Sequence, residues 1–112
     1  MATRVKRITQ TNTWAQLTAA GSTAALFVLG NAYHTIAYTV AAINTSVTVK
    51  AEGSLDNTNW FNLDSQDATT TKIANDTYGM VFEGQIAYIR FTFVSEVGGT
   101  NVTIDAKYLG GV

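Results

Sequence analysis

The chain has 112 residues, of which 13% are charged, with no cysteine, no proline, one histidine and a net charge of −1. This length predicts one domain, spanning residues 1–112, that folds around a single core without disulfides. The charge balance gives no strong field for nucleic acid or a membrane, and one histidine leaves little room for a metal cluster or a histidine proton relay. We therefore expect no cofactor, no metal and no enzymatic activity.

Threonine dominates the polar composition. The chain contains eighteen threonines, eight asparagines and nine glycines. Threonine is β-branched and suits a half-exposed pleated surface, whereas asparagine and glycine supply the positive φ angles of tight turns. A surface of threonine and asparagine also leaves little charge repulsion between neighbouring copies. The composition therefore favours an all-β domain that associates with other subunits.

The first segment is basic. Val5 and Ile8 predict an edge strand of charged character, and residues 1–14 are expected to form an ordered basic arm docked on the body or on a partner. This arm is either a solvated edge strand or a contact that grips an acidic neighbouring subunit. No aromatic residue is interleaved with the charges, so nucleic-acid binding is not expected. The predicted partner-binding residues are Arg4, Lys6, Arg7 and Trp14.

Trp14 is expected to be an exposed aromatic residue because Thr13 and Gln16 give it a polar setting. The same polar stretch separates the basic start from the apolar run, which argues against a signal peptide and predicts a protein made in the cytoplasm. The unbroken apolar run Ala24–Leu29 is too short to span a bilayer. We expect Ala25–Leu29 to form a strand buried on both faces.

Short alternating runs continue to the end of the chain, broken by glycine, asparagine and aspartate. They predict eight or nine strands in a single antiparallel β-sandwich, which is jelly-roll-like. Strand spacing does not encode strand order, so an immunoglobulin-like sandwich stays open. A glycine pair, Gly98–Gly99, marks a hairpin turn. The predicted strands after the first are Trp14–Leu17, Ala25–Leu29, Thr35–Ile43, Val47–Glu52, Trp60–Leu63, Met80–Phe82, Tyr88–Val94 and Val102–Leu109.

The most distinctive segment is Gly53-Ser54-Leu55-Asp56-Asn57-Thr58-Asn59-Trp60. It predicts a strand, a turn and a second strand that opens with tryptophan. Asp56 is expected to accept hydrogen bonds from backbone amides of the turn, and Asn57 or Asn59 to adopt the left-handed conformation. Trp60 is expected to anchor the hairpin in the core. The predicted structural hairpin residues are Ser54, Asp56, Asn57 and Trp60.

This hairpin resembles a "GS-x-DG-x-NW" hairpin of bacteriophage virion proteins of the β-sandwich type, with Asn57 in place of the usual glycine. The strands Tyr88–Phe91 and Asp105–Tyr108 fit the same pattern. The hairpin is also similar to that of discoidin-like carbohydrate-binding modules. The phage resemblance implies a structural accessory protein of the virion, most specifically a decoration (cement) protein outside the head that binds the major capsid protein or other virion subunits and favours a trimer. It equally allows a neck or tail component that forms rings.

The sequence also offers candidate residues for binding sugars or metal ions and for catalysis. A carbohydrate-binding or host-attachment module would use exposed aromatics, for which the candidates are Trp14, Trp60, Tyr33 and Tyr78. Calcium could draw on a cluster of oxygen ligands, but their spacing is not that of an EF-hand loop and turns are rich in such residues. His34 is expected to be a hydrogen-bonded surface residue. The oxygen ligands in question are Asp56, Asn57, Asn59, Asp64 and Asp67.

Overall fold

The computed structural model describes residues 9–63 and 70–112. Every regular secondary-structure element within these two ranges is a β-strand. None of the described elements is a helix of the length and hydropathy needed to cross a bilayer. The strands are β1 (Thr9–Thr13), β2 (Gly21–Ser22), β3 (Leu26–Phe27), β4 (Tyr33–Ala41), β5 (Ser46–Ser54), β6 (Trp60–Asn62), β7 (Thr70–Lys72), β8 (Asp76–Glu83), β9 (Tyr88–Val97) and β10 (Thr103–Gly111).

The strands form two antiparallel sheets. The first sheet has the order β1-β10-β4-β8, and the second has the order β2-β9-β5-β6. In the second sheet β3 follows β2 along the edge of β9, and β7 follows β6 along the edge of β5. With β2–β3 and β6–β7 each taken as one interrupted strand, the molecule has two four-stranded sheets in the strand order of a jelly roll. This order resolves the choice that strand spacing left open.

The core lies between the two sheets and follows the period-2 alternation of the sequence. On β4 the side chains of Ile36, Tyr38 and Val40 point inward and are at most 1% exposed. Inward residues of β5, β9 and β10 meet them, and the rings of Tyr38 and Phe91 join the two sheets at 4.9 Å. Each large apolar side chain buried in this way stabilises the fold by about 1.5–3 kcal/mol. The alternation of the sequence in Thr35–Ile43, Val47–Glu52 and Val102–Leu109 therefore matches the inward faces of β4, β5 and β10.

The glycine pair Gly98–Gly99 lies between β9 and β10 as expected, but the predicted hairpin is wrong, because β9 and β10 belong to different sheets and do not pair. Gly98 has a φ of 89°, a conformation that residues with a Cβ rarely adopt. The structure extends the predicted β8 and β9 and adds β2 and β7, whose polar or short sequences carry no clear apolar alternation. The described residues therefore contain ten strands, where eight or nine were expected for the chain.

Two strand predictions near the start of the chain are wrong. The apolar run Ala25–Leu29 contributes only β3, and Phe27 and Leu29 are 54% and 60% exposed. It lies at the edge of the second sheet, where one face meets the core and the other meets solvent. Trp14–Leu17 does not form a strand, because only Leu17 makes a bridge, to Ile104. The expected strand at Val5 and Ile8 lies outside the described residues.

Candidate functional site

Exposed apolar side chains gather at one end of the sandwich, which we call the apolar end. The turns β3–β4, β5–β6 and β8–β9 all lie there. Tyr33 at the start of β4 pairs with Glu83 at the end of β8, and Tyr88 at the start of β9 pairs with Ser54 at the end of β5. Large exposed apolar patches on a folded domain mark contacts with other proteins. The residues that define the apolar end are Leu29, Tyr33, Leu55, Val81, Leu109 and Val112, each between 49% and 73% exposed.

Pairing register places several of these side chains together on the outer face of the first sheet. Val81 and Leu109 both pair with Thr35, from opposite sides, so they lie two strand spacings apart, about 9–10 Å. Tyr33 lies two residues before Thr35 on the same face. A shallow depression lined by Thr9, Tyr33, Leu109 and Val112 runs beside them. This part of the sheet is therefore an apolar surface fixed on rigid strands.

The described part of the chain begins at this same end. Thr9, the first described residue, pairs with Gly111, which in turn pairs with Tyr33. Residues 9–13 form the edge strand β1. The predicted contact residues Arg4, Lys6 and Arg7 precede Thr9 in the sequence and lie outside the described residues.

The expectation that Trp14 is exposed is wrong. Its side chain is 6% exposed and belongs to the core, where its ring meets that of Tyr108 edge-on at a centroid distance of 6.3 Å. Its backbone amide donates a hydrogen bond to the carbonyl of Ala106. Trp14 therefore continues the inward side of the edge strand, after Gln10 and Asn12, and its polar neighbour Thr13 points to solvent. A buried ring offers no surface for a partner.

The hairpin at 54–60 has the local geometry that its sequence predicts. Asp56 Oδ1 accepts hydrogen bonds from the amides of Thr58 at 2.9 Å and Asn59 at 2.8 Å, and Asn57 adopts a φ of 61°. The amide and side-chain donors of Asn59, with the amide of Thr58, hold the pKa of Asp56 well below its usual value. The Ser54 hydroxyl closes the turn by accepting from the amides of Asp56 and Asn57.

Trp60 differs from the expectation of a core anchor. Its ring is only partly buried and lies on the outer face of the second sheet, because Trp60 pairs with Ser54, which the alternation of β5 places on that side although Ser54 itself is buried. The guanidinium carbon of Arg90 lies 4.0 Å from the centroid of the ring. A cation stacked on tryptophan in this way contributes about 0.5–2 kcal/mol. Trp60 is therefore available at the surface, as Trp14 is not.

Arg90 also joins a charged cluster beside the tryptophan. Glu52 Oε1 accepts from Arg90 Nε at 3.1 Å and from the hydroxyl of Thr92 at 2.7 Å, and the Lys50 ammonium lies 3.6 Å from Glu52 Oε2. Burial alone would raise the pKa of Glu52. The hydrogen bonds from Thr92 and Arg90, with the charges of Arg90 and Lys50, outweigh it and hold that pKa below its usual value. Glu52 is therefore a charged anchor that fixes Arg90 in place.

Sequence reasoning did not identify this cluster. Glu52 and Arg90 are 38 residues apart in the chain and are brought side by side by the pairing of β5 with β9. The alternation of its strand indicates that Glu52 faces outward. Which basic residue lies beside Glu52 depends on strand order, which the sequence does not encode. The same register aligns Phe27, Tyr88 and Trp60 across the outer face of the second sheet.

His34 is hydrogen-bonded, but the expectation of a surface position is wrong. It is 1% exposed, with Nδ1 2.6 Å from the hydroxyl of Tyr108 and Nε2 2.8 Å from the carbonyl oxygen of Gly84. A carbonyl only accepts, so Nε2 donates to Gly84, and Nδ1 shares the second hydrogen bond with the Tyr108 hydroxyl. Asn31 donates to the same hydroxyl at 3.2 Å. Both ring nitrogens are thus used in holding the fold together.

The described residues hold no group of three or more histidine, cysteine, aspartate or glutamate side chains that could bind a metal ion. Asp64 and Asp67, two members of the oxygen-rich cluster, lie outside the described residues. The carboxylate of Asp56 is used by its own turn.

No family model matches the chain, and no curated protein matches its sequence. Among solved structures, the chain is similar to the SPBc2 prophage-derived protein YomS, with a TM-score of 0.70 and 14% identity over 100% of both chains. It is also similar to a structure of Bacillus endospore appendages, which form disulfide-linked pili, with a TM-score of 0.51 and 6% identity over 100% of this chain and 95% of that chain. At these identities the similarity establishes the shared fold: an all-β protein built from two antiparallel sheets.

Proposed function

We propose that this protein is a structural accessory protein of a tailed-phage particle, and most specifically a decoration protein that binds the outside of the head. The observation that carries the proposal is the apolar end, because exposed apolar side chains on rigid strands suit a lasting contact with another protein. The hairpin resemblance and the shared fold with a prophage-derived protein support the phage setting. In this account the protein acts as part of the virion and is not an enzyme.

The contact combines two elements of the chain. Tyr33, Val81 and Leu109 supply the apolar centre, and the basic segment that contains Arg4, Lys6 and Arg7 leads into Thr9 at the same end. An apolar centre with charged residues around it is the usual arrangement of a protein interface. The partner is accordingly the major capsid protein or another virion subunit with an acidic rim around an apolar surface. Trp14 is buried and is therefore not part of the proposed contact.

Stabilisation of the particle then follows from mass action. Copies that bind across joints between shell subunits bind only the assembled lattice, so binding lowers the free energy of the intact shell relative to its separated subunits. Local symmetry of the shell lets a trimer engage several equivalent sites at once, which turns modest single contacts into tight binding.

The test is sedimentation of the purified chain with expanded empty phage heads. A variant with Tyr33, Val81 and Leu109 replaced by serine should lose at least about 90% of the bound fraction, since each truncated contact costs about 1 kcal/mol or more. The matched control replaces Ile73 and Val97, which are 78% and 56% exposed outside the apolar end, and should bind as wild type does. Equal binding by both variants would overturn the proposed surface.

The mass of the assembly in solution distinguishes a neck or tail component from a decoration protein. A ring of six or twelve copies that ignores the head would replace the decoration assignment with this one. The endospore appendages form disulfide-linked pili. This chain has no cysteine and cannot form such links.

A further inference from the structure

The outer face of the second sheet carries a row of aromatic rings that the proposed head contact does not use. Trp60 pairs with Ser54, Ser54 pairs with Tyr88, and Tyr88 pairs with Phe27, so the three rings follow one line across the strands. Phe27 is 54% exposed and meets Tyr88 edge-on at a centroid distance of 5.3 Å. These rings are held on paired strands, so little conformational entropy is lost when a ligand lies on them.

Polar groups lie in the next rows of the same face. Glu52 and Asn62 pair with each other, and Glu52 also pairs with Arg90. One row further, the hydroxyls of Ser22 and Thr92 lie 2.8 Å apart. Rings beside hydroxyl, amide and guanidinium groups match a saccharide, whose C–H faces stack on aromatic rings and whose hydroxyls exchange hydrogen bonds with polar side chains.

The charge of this face indicates which saccharide. Glu52 is 7% exposed and is already paired, whereas the side chains of Lys50 and Arg90 each retain 27% exposure. Among the described residues, Glu52 bonds Arg90 only through Nε. The two terminal amino groups of the guanidinium therefore remain able to donate a forked pair of hydrogen bonds, a geometry that suits a carboxylate.

We propose that this face binds a saccharide carrying a carboxylate, such as a uronic acid or a sialic acid, with its sugar rings on Phe27 and Tyr88 and its carboxylate on Arg90. Glu52 is a positioning residue: it holds Nε of Arg90 and leaves the terminal amino groups directed to the ligand. This face and the apolar end use different side chains, so either proposal stands or fails alone.

The test begins with an array of immobilised oligosaccharides covering neutral, uronate-containing and sialylated chains. A carboxylated oligosaccharide that binds is then measured by titration calorimetry against its carboxyl-reduced form, a change that leaves the protein untouched. The expected result is binding at least about tenfold weaker for the reduced form, because a charge-assisted hydrogen bond is lost. Neutral chains that bind as tightly as carboxylated ones would overturn the proposal, as would an array with no bound glycan.

Location is tested with two variants matched in exposure. Phe27→Ser removes a 54% exposed ring from the second sheet, and Tyr33→Ser removes a 55% exposed ring from the first. Phe27→Ser should weaken glycan binding about tenfold, a loss of the size measured for stacked rings elsewhere. Tyr33→Ser should bind as wild type does. Equal affinities, or equal losses, in the two variants would place the site elsewhere.

Discussion

The hydroxyl of Tyr108 lies 2.6 Å from Nδ1 of His34, inside the sandwich where neither side chain exceeds 2% exposure. The same hydroxyl accepts from Asn31, which also donates to Gln10 on the edge strand β1. The network thus ties the edge strand to the two central strands of the first sheet. Within the described ranges, every buried side-chain nitrogen and oxygen has a hydrogen-bond partner.

Replacing Tyr108 with phenylalanine should lower the free energy of unfolding by about 1–3 kcal/mol. The substitution leaves Nδ1 of His34 without its hydrogen-bond partner and one proton of Asn31 without an acceptor. Denaturant unfolding measures the effect. Tyr33→Phe, at a 55% exposed tyrosine on the same sheet, is the control and should change stability by less than about 0.5 kcal/mol. A loss for Tyr108→Phe no larger than the control would show that the network adds nothing to stability.

Trp14→Ala should cost about 3–5 kcal/mol, the range found for large aromatic side chains removed from cores. The reason is the burial of the ring against Tyr108 and not any contact with a partner. Thermal unfolding of Trp14→Ala is compared with that of Phe27→Ala, which removes an exposed ring. The comparison distinguishes the loss of a core side chain from the loss of a surface side chain. Similar losses in the two variants would contradict the buried position of Trp14.

Alternation along single strands predicted the inward faces of β4, β5 and β10, and the turn residues Asp56 and Asn57 predicted their own local geometry. Both are local properties of the chain, set within a few residues by side-chain direction and by hydrogen bonds to neighbouring amides. Trp14 was misplaced because Gln10 and Asn12, which share its inward side of β1, are polar, so the sequence carries no apolar alternation that marks this side as buried. The Glu52–Arg90 pair and the apolar end depend on which strands become neighbours, and no local pattern encodes that order.

Asp56→Ala should destabilise the hairpin, because the amides of Thr58 and Asn59 lose their acceptor. The pKa of Asp56 is lower in the folded protein than in the unfolded chain, so its stabilising effect is fully present above about pH 5 and is lost as the pH falls below about 4. The difference in Tm between wild type and variant should therefore shrink in acid. Asp105→Asn, at an exposed strand position, is the control, and a Tm difference independent of pH would contradict the account.

Glu52→Gln should lower the free energy of unfolding by about 1–2 kcal/mol at neutral pH, because Arg90 and Lys50 lose their paired charge at a partly screened surface. The pKa of Glu52 is also lowered by folding, so this contribution is present above its ordinary pKa and disappears as the pH falls. Glu83→Gln, at an exposed position on β8, should have little effect. Unfolding curves at pH 7 and pH 3 check both statements, and an equal loss at the two pH values would contradict them.

The account as a whole depends on whether the protein binds a virion shell. The most direct measurement is light scattering of the purified chain alone, followed by sedimentation with expanded empty phage heads. The account predicts an oligomer, a trimer in its most specific form, that sediments with the heads at a fixed ratio to the shell protein. A monomer that stays in the supernatant at every concentration of heads would contradict it.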